Sequence, residues 1–233
     1  MKSDELKSVS TGAPDRELAR HKYVRLAPRF DAGRIRRVTV GPAFGRLRRR
    51  AVARLEARLG ETVLDVGCGT GNSFPYLLDA VGPDGRVIGI DQSTDMLEQA
   101  ERRVELQGWG NVSLVHAPAE EASVAGTVDR ALIFLAHDLV RNDAALANVA
   151  NLVRPGGRVV AAGMQRGPRW VAPLSYVSWR AARPYITTFE GRERPWNLLE
   201  PKLDGFDVEL LLLGLGYVAW GSPPANREAA SSA

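Results

Sequence analysis

Cysteine is almost absent from this chain. Cys68 is the single one in 233 residues, which excludes an internal disulfide framework and any zinc site built from several thiolates. Histidine is nearly as scarce. His21, His116 and His137 lie far apart and match no metal-ligand spacing, so no bound metal is expected. Aromatic residues make up 7%. There is no long hydrophobic run: the best stretch, from Val208 to Trp220, is interrupted by Glu209 and by glycines and falls short of a bilayer span. The first ten residues are polar and charged, unlike a secretory leader, and the expected location is the cytoplasm. What is present is ordinary for a globular protein, with 45% hydrophobic and 25% charged residues. The length suits one domain able to bury a full core.

The charge is uneven. Residues 1–58 carry 16 Lys and Arg against 6 Asp and Glu, and the rest carry 15 against 21. A basic leading segment can attract phosphate, anionic lipid or an acidic substrate, or can simply be a solvated arginine-rich helix.

Residues 1–14 read as a disordered tail, and 15–30 and 42–59 as helices forming an N-terminal lid. In the second helix Leu47, Val52, Leu55 and Leu59 share a face, and Gly60 is its cap. Strands then alternate with helices. The strands are Thr62–Val66, Arg86–Ile90, Asn111–His116, Thr127–Leu135 and Arg158–Ala162. The helices are Asn72–Val81 (with Pro75 in its first turn), Ser93–Gln107 and Asp143–Leu152. This alternation predicts an α/β fold with a parallel sheet covered on both faces. Asp207–Leu213 and Tyr217–Trp220 flank Gly214-Leu215-Gly216, a hairpin that makes the last strand antiparallel. Residues 60–222 form the main domain, 164–205 a lid-like insertion rich in Trp, Tyr, Pro and Arg, and 223–233 a flexible tail.

Val63-Leu64-Asp65-Val66-Gly67-Cys68-Gly69-Thr70-Gly71 is an apolar strand running into three alternating glycines. Such glycines permit positive φ and let a ligand lie on bare backbone, with the amides of the following helix aimed at it. Asp91 ends the second strand, where a carboxylate can accept both ribose hydroxyls. A dinucleotide site needs G-x-G-x-x-G, but Asn72 stands where its third glycine belongs. Asp65, beside the loop, disfavours a pyrophosphate and favours an ammonium. An amino acid joined to a nucleoside satisfies both carboxylates, and S-adenosylmethionine (SAM) is such a ligand.

Joined to V-I-G-I-D-Q-S-x-x-M-L and to Leu152-Val153-Arg154-Pro155-Gly156-Gly157, that stretch resembles the signature motifs of the class I SAM-dependent methyltransferases. The similarity covers about residues 60–163 and 206–221 and is nearest the ubiquinone/menaquinone-biosynthesis and phospholipid N-methyltransferase group. Tyr23 to Asp31 resembles that group's N-terminal Y-D-x-L-A-x-x-Y-D segment. The resemblance implies a Rossmann-like, seven-stranded, mostly parallel sheet whose last strand is antiparallel. It also implies SAM as cofactor, with S-adenosylhomocysteine as product. The expected cofactor-binding set is Asp65, Gly67, Cys68, Gly69, Gly71, Asn72, Asp91, Gln92, Met96, Ala119 and Leu135. One departure stands out: Ala117 or Pro118 occupies the place after the third strand where many members carry an acid for the adenine, so a backbone group or Glu120 would substitute.

Methyl transfer relies on proximity and desolvation, and a base is needed only when the acceptor must lose a proton. His137 and Asp138, at the carboxyl end of the fourth strand, are the catalytic candidates, as base and orienting group. Alternatively Asp138 steers a cationic amine, or the pair simply packs and caps. Tyr23, Trp170, Trp179 and Tyr185 are the substrate candidates; such aromatics serve as an apolar or methylammonium-holding pocket or as ordinary core. The leading expectation is a methyltransferase acting at O, N or C of a small, partly apolar molecule. The alternative is phospholipid N-methylation, with the basic segment in peripheral contact with a membrane. No D/N-P-P-Y/F motif follows the fourth strand and no nucleic-acid module is appended, which argues against a nucleic-acid substrate. A non-catalytic SAM-binding scaffold is a further class, disfavoured by the intact loop. Monomer and homodimer both stay open.

Overall fold

The computed structural model describes residues 41–172, 176 and 191–225. The predicted tail and first helix (15–30), with Tyr23 and His21, lie outside them, as do Trp179, Tyr185 and most of the insertion.

Eleven regular helices and strands follow one another: α1 (Gly41–Leu55), β1 (Thr62–Val66), α2 (Phe74–Val81), β2 (Arg86–Asp91), α3 (Thr94–Gln107), β3 (Val112–His116), β4 (Val128–Phe134), α4 (Asp143–Leu152), β5 (Val153–Met164), β6 (Asp204–Leu211) and β7 (Gly216–Ser222). The seven strands make one sheet in the order β3-β2-β1-β4-β5-β7-β6. The first five are parallel, and β7 inserts antiparallel between β5 and β6. This is the Rossmann-like arrangement with a reversed last strand that the hairpin predicted.

The period-2 burial of the strands divides the core. Val63, Leu132, Val160 and Val218 face a layer holding Leu47, Leu55, Phe74, Leu77 and Leu97. Their neighbours Leu64, Ile133, Val159 and Ala219 face Leu146, Val149, Trp196, Leu199 and Leu203. α1, α2 and α3 therefore cover one face, and α4 with the 196–203 segment the other. Trp196 is core, its ring 5.1 Å from that of Tyr217.

Three local expectations are corrected. α1 ends at Leu55 rather than 59, and Leu59 is 78% exposed instead of belonging to the apolar face. Glu56 turns left-handed (φ 50°), and two arginines from the sheet cap the freed carbonyls: Arg158 donates to Arg54 O (3.2 Å) and Arg130 to Glu56 O (3.4 Å). The Pro155-Gly156-Gly157 turn lies within β5. It bulges between the pairings Val128–Val153 and Arg130–Arg158. Gly157 approaches the Asp129 carbonyl so closely that a Cβ would sit 2.5 Å from it. The last hairpin runs β6 to Leu211, then a 3₁₀ turn over Leu212–Gly214 in which Leu212 and Leu213 both have positive φ.

α1 is fastened to the far end of the chain. Arg50 and Arg54 both bind the Glu209 carboxylate on β6, at 2.8 and 2.7 Å, and the Arg54 guanidinium lies 4.0 Å over the Trp220 ring on β7. Among the described residues no helix is long and apolar enough to cross a membrane.

Candidate functional site

The carboxyl ends of β1, β2 and β4 meet at one crest of the sheet, the place where parallel α/β folds take their ligands. From β1 the chain enters the glycine loop. Gly67, Gly69 and Gly71 all have positive φ. Gly67 N and Cys68 N donate to Ile90 O at 2.8 and 3.0 Å, and Gly71 N donates to Cys68 O at 3.0 Å. Cys68 is buried and its sulfur packs below the loop against Gly89, which leaves only its backbone for a ligand; burial pushes its thiol well above the usual range. Above Gly69 the space is open, with no atom within 4 Å of where a Cβ would be.

Asp91, half-buried at the end of β2, is tied to this loop. Its Oδ2 accepts from Gly69 N (2.9 Å) and its Oδ1 from Ser93 N (2.9 Å). Each carboxylate oxygen has two lone pairs, so capacity remains for hydroxyl donors. Burial raises the Asp91 pKa, and the backbone N–H groups of Ser93, Gly69 and Gln92 oppose the rise.

Asp65 is 1% exposed, and its Oδ2 accepts no hydrogen bond. Burial pushes its carboxyl up to about 7; the Arg48 guanidinium pulls the other way, and the Asp91 charge adds to the rise. A buried carboxylate oxygen without a donor is costly and marks a place for a cationic partner. Arg48, on α1, lies with its guanidinium 4.4 Å over the Phe134 ring at the end of β4 and 6.0 Å from that of Tyr76.

The remaining predicted residues fall around this centre unequally. Gln92 O faces His116 Nε2 at 3.1 Å, and Thr94 Oγ1 lies 3.3 Å from the same nitrogen. Asn72 engages its own surroundings: its amide donates to Thr70 Oγ1 (2.9 Å) and accepts from Arg103 (2.7 Å). Met96 is 2% exposed and belongs to the packing rather than to an open surface. Ala119 is half-buried and its carbonyl accepts from Asn148. Leu135 has φ 56° and is 37% exposed at the crest, a strained conformation of the kind that gathers at functional sites. His137 and Asp138 follow it, half-buried. Asp138 makes no side-chain cap; Asn142 caps α4 instead by accepting from Ala145 N at 3.2 Å. Trp170 is 69% exposed. Arg48 escaped the sequence reading, where it was one arginine in a basic helix.

An orphaned buried carboxylate at one side, an open glycine surface in the middle and a strand-end carboxylate at the other fit a ligand that is cationic at one end and a nucleoside at the other. The described residues hold no group of three His, Cys, Asp or Glu able to gather a metal ion.

Known proteins agree. Residues 63–157 match the methyltransferase domain family. The demethylmenaquinone methyltransferase of Symbiobacterium thermophilum is 26% identical over 221 residues, 87% of this chain and 85% of that protein. The first curated match, 44% identical over 110 residues, spans 31% of its relative's own length. Among solved structures, a Haloferax volcanii methyltransferase in complex with the Trm112 methyltransferase activator superposes with a TM-score of 0.68 at 15% identity, covering 90% of this chain and 99% of that one. The N-methyltransferase NodS from Bradyrhizobium japonicum, in complex with S-adenosylhomocysteine, gives 0.62 at 17% identity, over 88% and 98%. The glycine loop, the reversed β7 and the domain match together show a SAM-dependent methyltransferase domain over residues 63–157, in a chain similar to the class I methyltransferases of the menaquinone group.

Proposed function

We propose that the protein transfers the methyl group of SAM to an O, N or C atom of a small, partly apolar molecule in the cytoplasm. The observation that carries the cofactor's placement is the pair of carboxylates flanking the open loop: Asp65 with its bare Oδ2, and Asp91 held by two backbone N–H groups. Asp65 receives the amino group of the methionine end. Gly67, Gly69 and Gly71 lie beneath the cofactor, and Asp91 holds the ribose. His116, Ala117 and Ala119 border the adenine side, where no acid stands at position 117 or 118.

Bound SAM supplies an electrophilic methyl group on a sulfonium. The chain aligns the acceptor in line with it and excludes water. His137, half-buried just past β4, is placed to take a proton from an acceptor that must lose one, with Asp138 beside it in sequence. His137→Ala is expected to lower kcat by about 10²- to 10⁴-fold with SAM affinity retained. Retained turnover, measured once a substrate is found, would limit His137 to packing.

The similarity to demethylmenaquinone methyltransferases favours a ring-bearing acceptor with an apolar tail. Trp170 and the aromatic residues of the insertion would receive it. The remaining alternative, a phospholipid headgroup amine, draws support from the basic segment before β1. Calorimetric titration with SAM, S-adenosylhomocysteine and NAD tests the foundation. Binding of the first two and not the third is expected, and binding of NAD alone would overturn the reading.

A further inference from the structure

We propose that the tip of the β6–β7 hairpin docks the protein on an anionic lipid bilayer, with Leu213 and Trp170 as its apolar point and Arg46 of α1 beside them. The inference deepens the apolar-acceptor reading above and rests on it for its purpose: an acceptor dissolved in the bilayer would enter the cleft from this side.

The first observation is a leucine where the backbone favours another residue. Leu215 N donates to Leu212 O (3.1 Å), closing a turn whose centre is Leu213 (φ 59°, ψ 30°) and Gly214 (φ 80°). These left-handed angles are the ones Asn-Gly adopts in a type I′ turn, and leucine enters them only at a cost. Packing does not repay that cost, because Leu213 is 63% exposed. Strain that buries nothing points to a contact made outside the molecule.

Trp170 belongs to the same tip. Gln165 Nε2 donates to Gly214 O and Gln165 N to Leu215 O, both at 2.8 Å, and Pro168 Cδ stands 3.0 Å from where a Cβ on Gly214 would be. These contacts fasten the segment that carries Trp170 to the turn, and the indole is exposed as well. The tip lies at the crest that holds the glycine loop, since Met164, the last residue of parallel β5, pairs with Gly216 at the start of β7.

The flank is basic. α1 holds five arginines and no acid. Glu209 answers Arg50 and Arg54, while Arg46 and Arg49 are exposed. Arg46 shares a side of the helix with Arg50 and lies one turn, about 5.4 Å, nearer its start. That start is at the crest: Leu47 and Leu212 both approach Gly216, at 3.6 and 3.2 Å from its added Cβ, whereas Arg54 lies over Trp220 further down β7. Arg46 therefore comes level with the hairpin tip. A hairpin tip is convex, and a convex apolar point suits a fluid surface that yields around it. An indole rests at headgroup depth, and guanidinium groups meet lipid phosphate.

The test is co-sedimentation of the full chain with vesicles of phosphatidylcholine alone and of phosphatidylcholine with about one-third phosphatidylglycerol. Binding is expected to the anionic vesicles, weaker on the neutral ones and weaker as salt rises. Leu213→Asn is expected to bind anionic vesicles about 10-fold less tightly, yet to melt no lower than the wild type, since asparagine suits the turn. Trp170→Gln is expected to lose binding likewise, and serves as the second variant. Arg46→Glu is expected to lose about 10-fold on anionic vesicles and nothing on neutral ones. No binding by the wild type, or equal binding by the Leu213 and Trp170 variants, would overturn the inference. So would a dimer in vesicle-free solution that Leu213→Asn dissolves, which would assign the tip to a second copy of the chain. Calorimetry with SAM on the same wild-type protein keeps the two readings apart: vesicle binding without SAM binding overturns the cofactor reading alone, and the reverse overturns the docking alone.

Discussion

Asp65→Asn is expected to make the protein more stable at pH 8 and worse at binding SAM. The carboxyl is buried and its pKa lies near 7, above the value of 3.8 for a free side chain. An acid raised in the folded state destabilises the fold once it is ionised. The folded state holds the extra proton between about pH 4 and pH 7, so stability falls as pH rises through that window. Three pH units correspond to about 4 kcal/mol at the upper end. The amide removes this cost but finds no better partner than Oδ2 had, which returns about 1–3 kcal/mol. A net gain of about 1–3 kcal/mol remains, a rise of several degrees in Tm for a chain of this size. Near pH 4, where the wild-type group is protonated, the gain is expected to vanish. Thermal melts of both proteins at pH 4.5 and 8 check the sign. Equal differences at the two pH values would mean that Asp65 is not held neutral by burial. Calorimetry supplies the second half: wild-type affinity for SAM should fall as pH drops below about 7, whereas the variant should be weaker throughout and indifferent to pH over that range.

Asp91→Ala is expected to weaken SAM by about 10- to 100-fold, the loss of charge-assisted hydrogen bonds to the ribose. The structure adds a second route to the same loss. Asp91 also fixes the loop through Gly69 N and the start of α3 through Ser93 N, and alanine frees both. A 2′-deoxyribose analogue of S-adenosylhomocysteine separates the two. If Asp91 meets the ribose, the wild type discriminates between the ligands and the variant does not. If it only holds the loop, the two ligands differ equally on both proteins. An unchanged SAM affinity in a folded variant would mean that the nucleoside lies elsewhere.

The sheet was legible because each strand is a short apolar or β-branched run closed by glycine, proline or a charged residue, as at Thr62–Val66 and Arg86–Asp91. The start of the helix at Ser93 was legible, and the Ser93 hydroxyl accepts from Met96 N as capping requires. The end of α1 was not. Leu59 continues the apolar period by spacing alone, but Arg130 and Arg158, more than seventy residues away, claim the carbonyls first. At the site, Asp65 and Asp91 announced themselves by position within a local motif. Arg48 carries no such signature. Its neighbours in sequence are arginines that serve as clamps, and only the crossing of α1 over β4 distinguishes it from them. Leu135 was read as a strand end, and its positive φ depends on the turn the sheet makes there.

The Glu209 clamp has a consequence for how the molecule is assembled. Arg50 and Glu209 are 159 positions apart, and β7, between β5 and β6, is among the last segments of the described chain to be synthesised. α1, which lies on one face of the sheet, gains its Glu209 and Trp220 contacts only when those strands have paired. Contacts of such separation form late and slowly. A nascent chain that has completed β1 to β4 already owns the glycine loop and both carboxylates, yet α1 lacks its fastening to β6 and β7. The clamp on α1 is therefore tied to the carboxyl-terminal hairpin, and a chain cut before residue 204 would keep the motifs and lose the clamp.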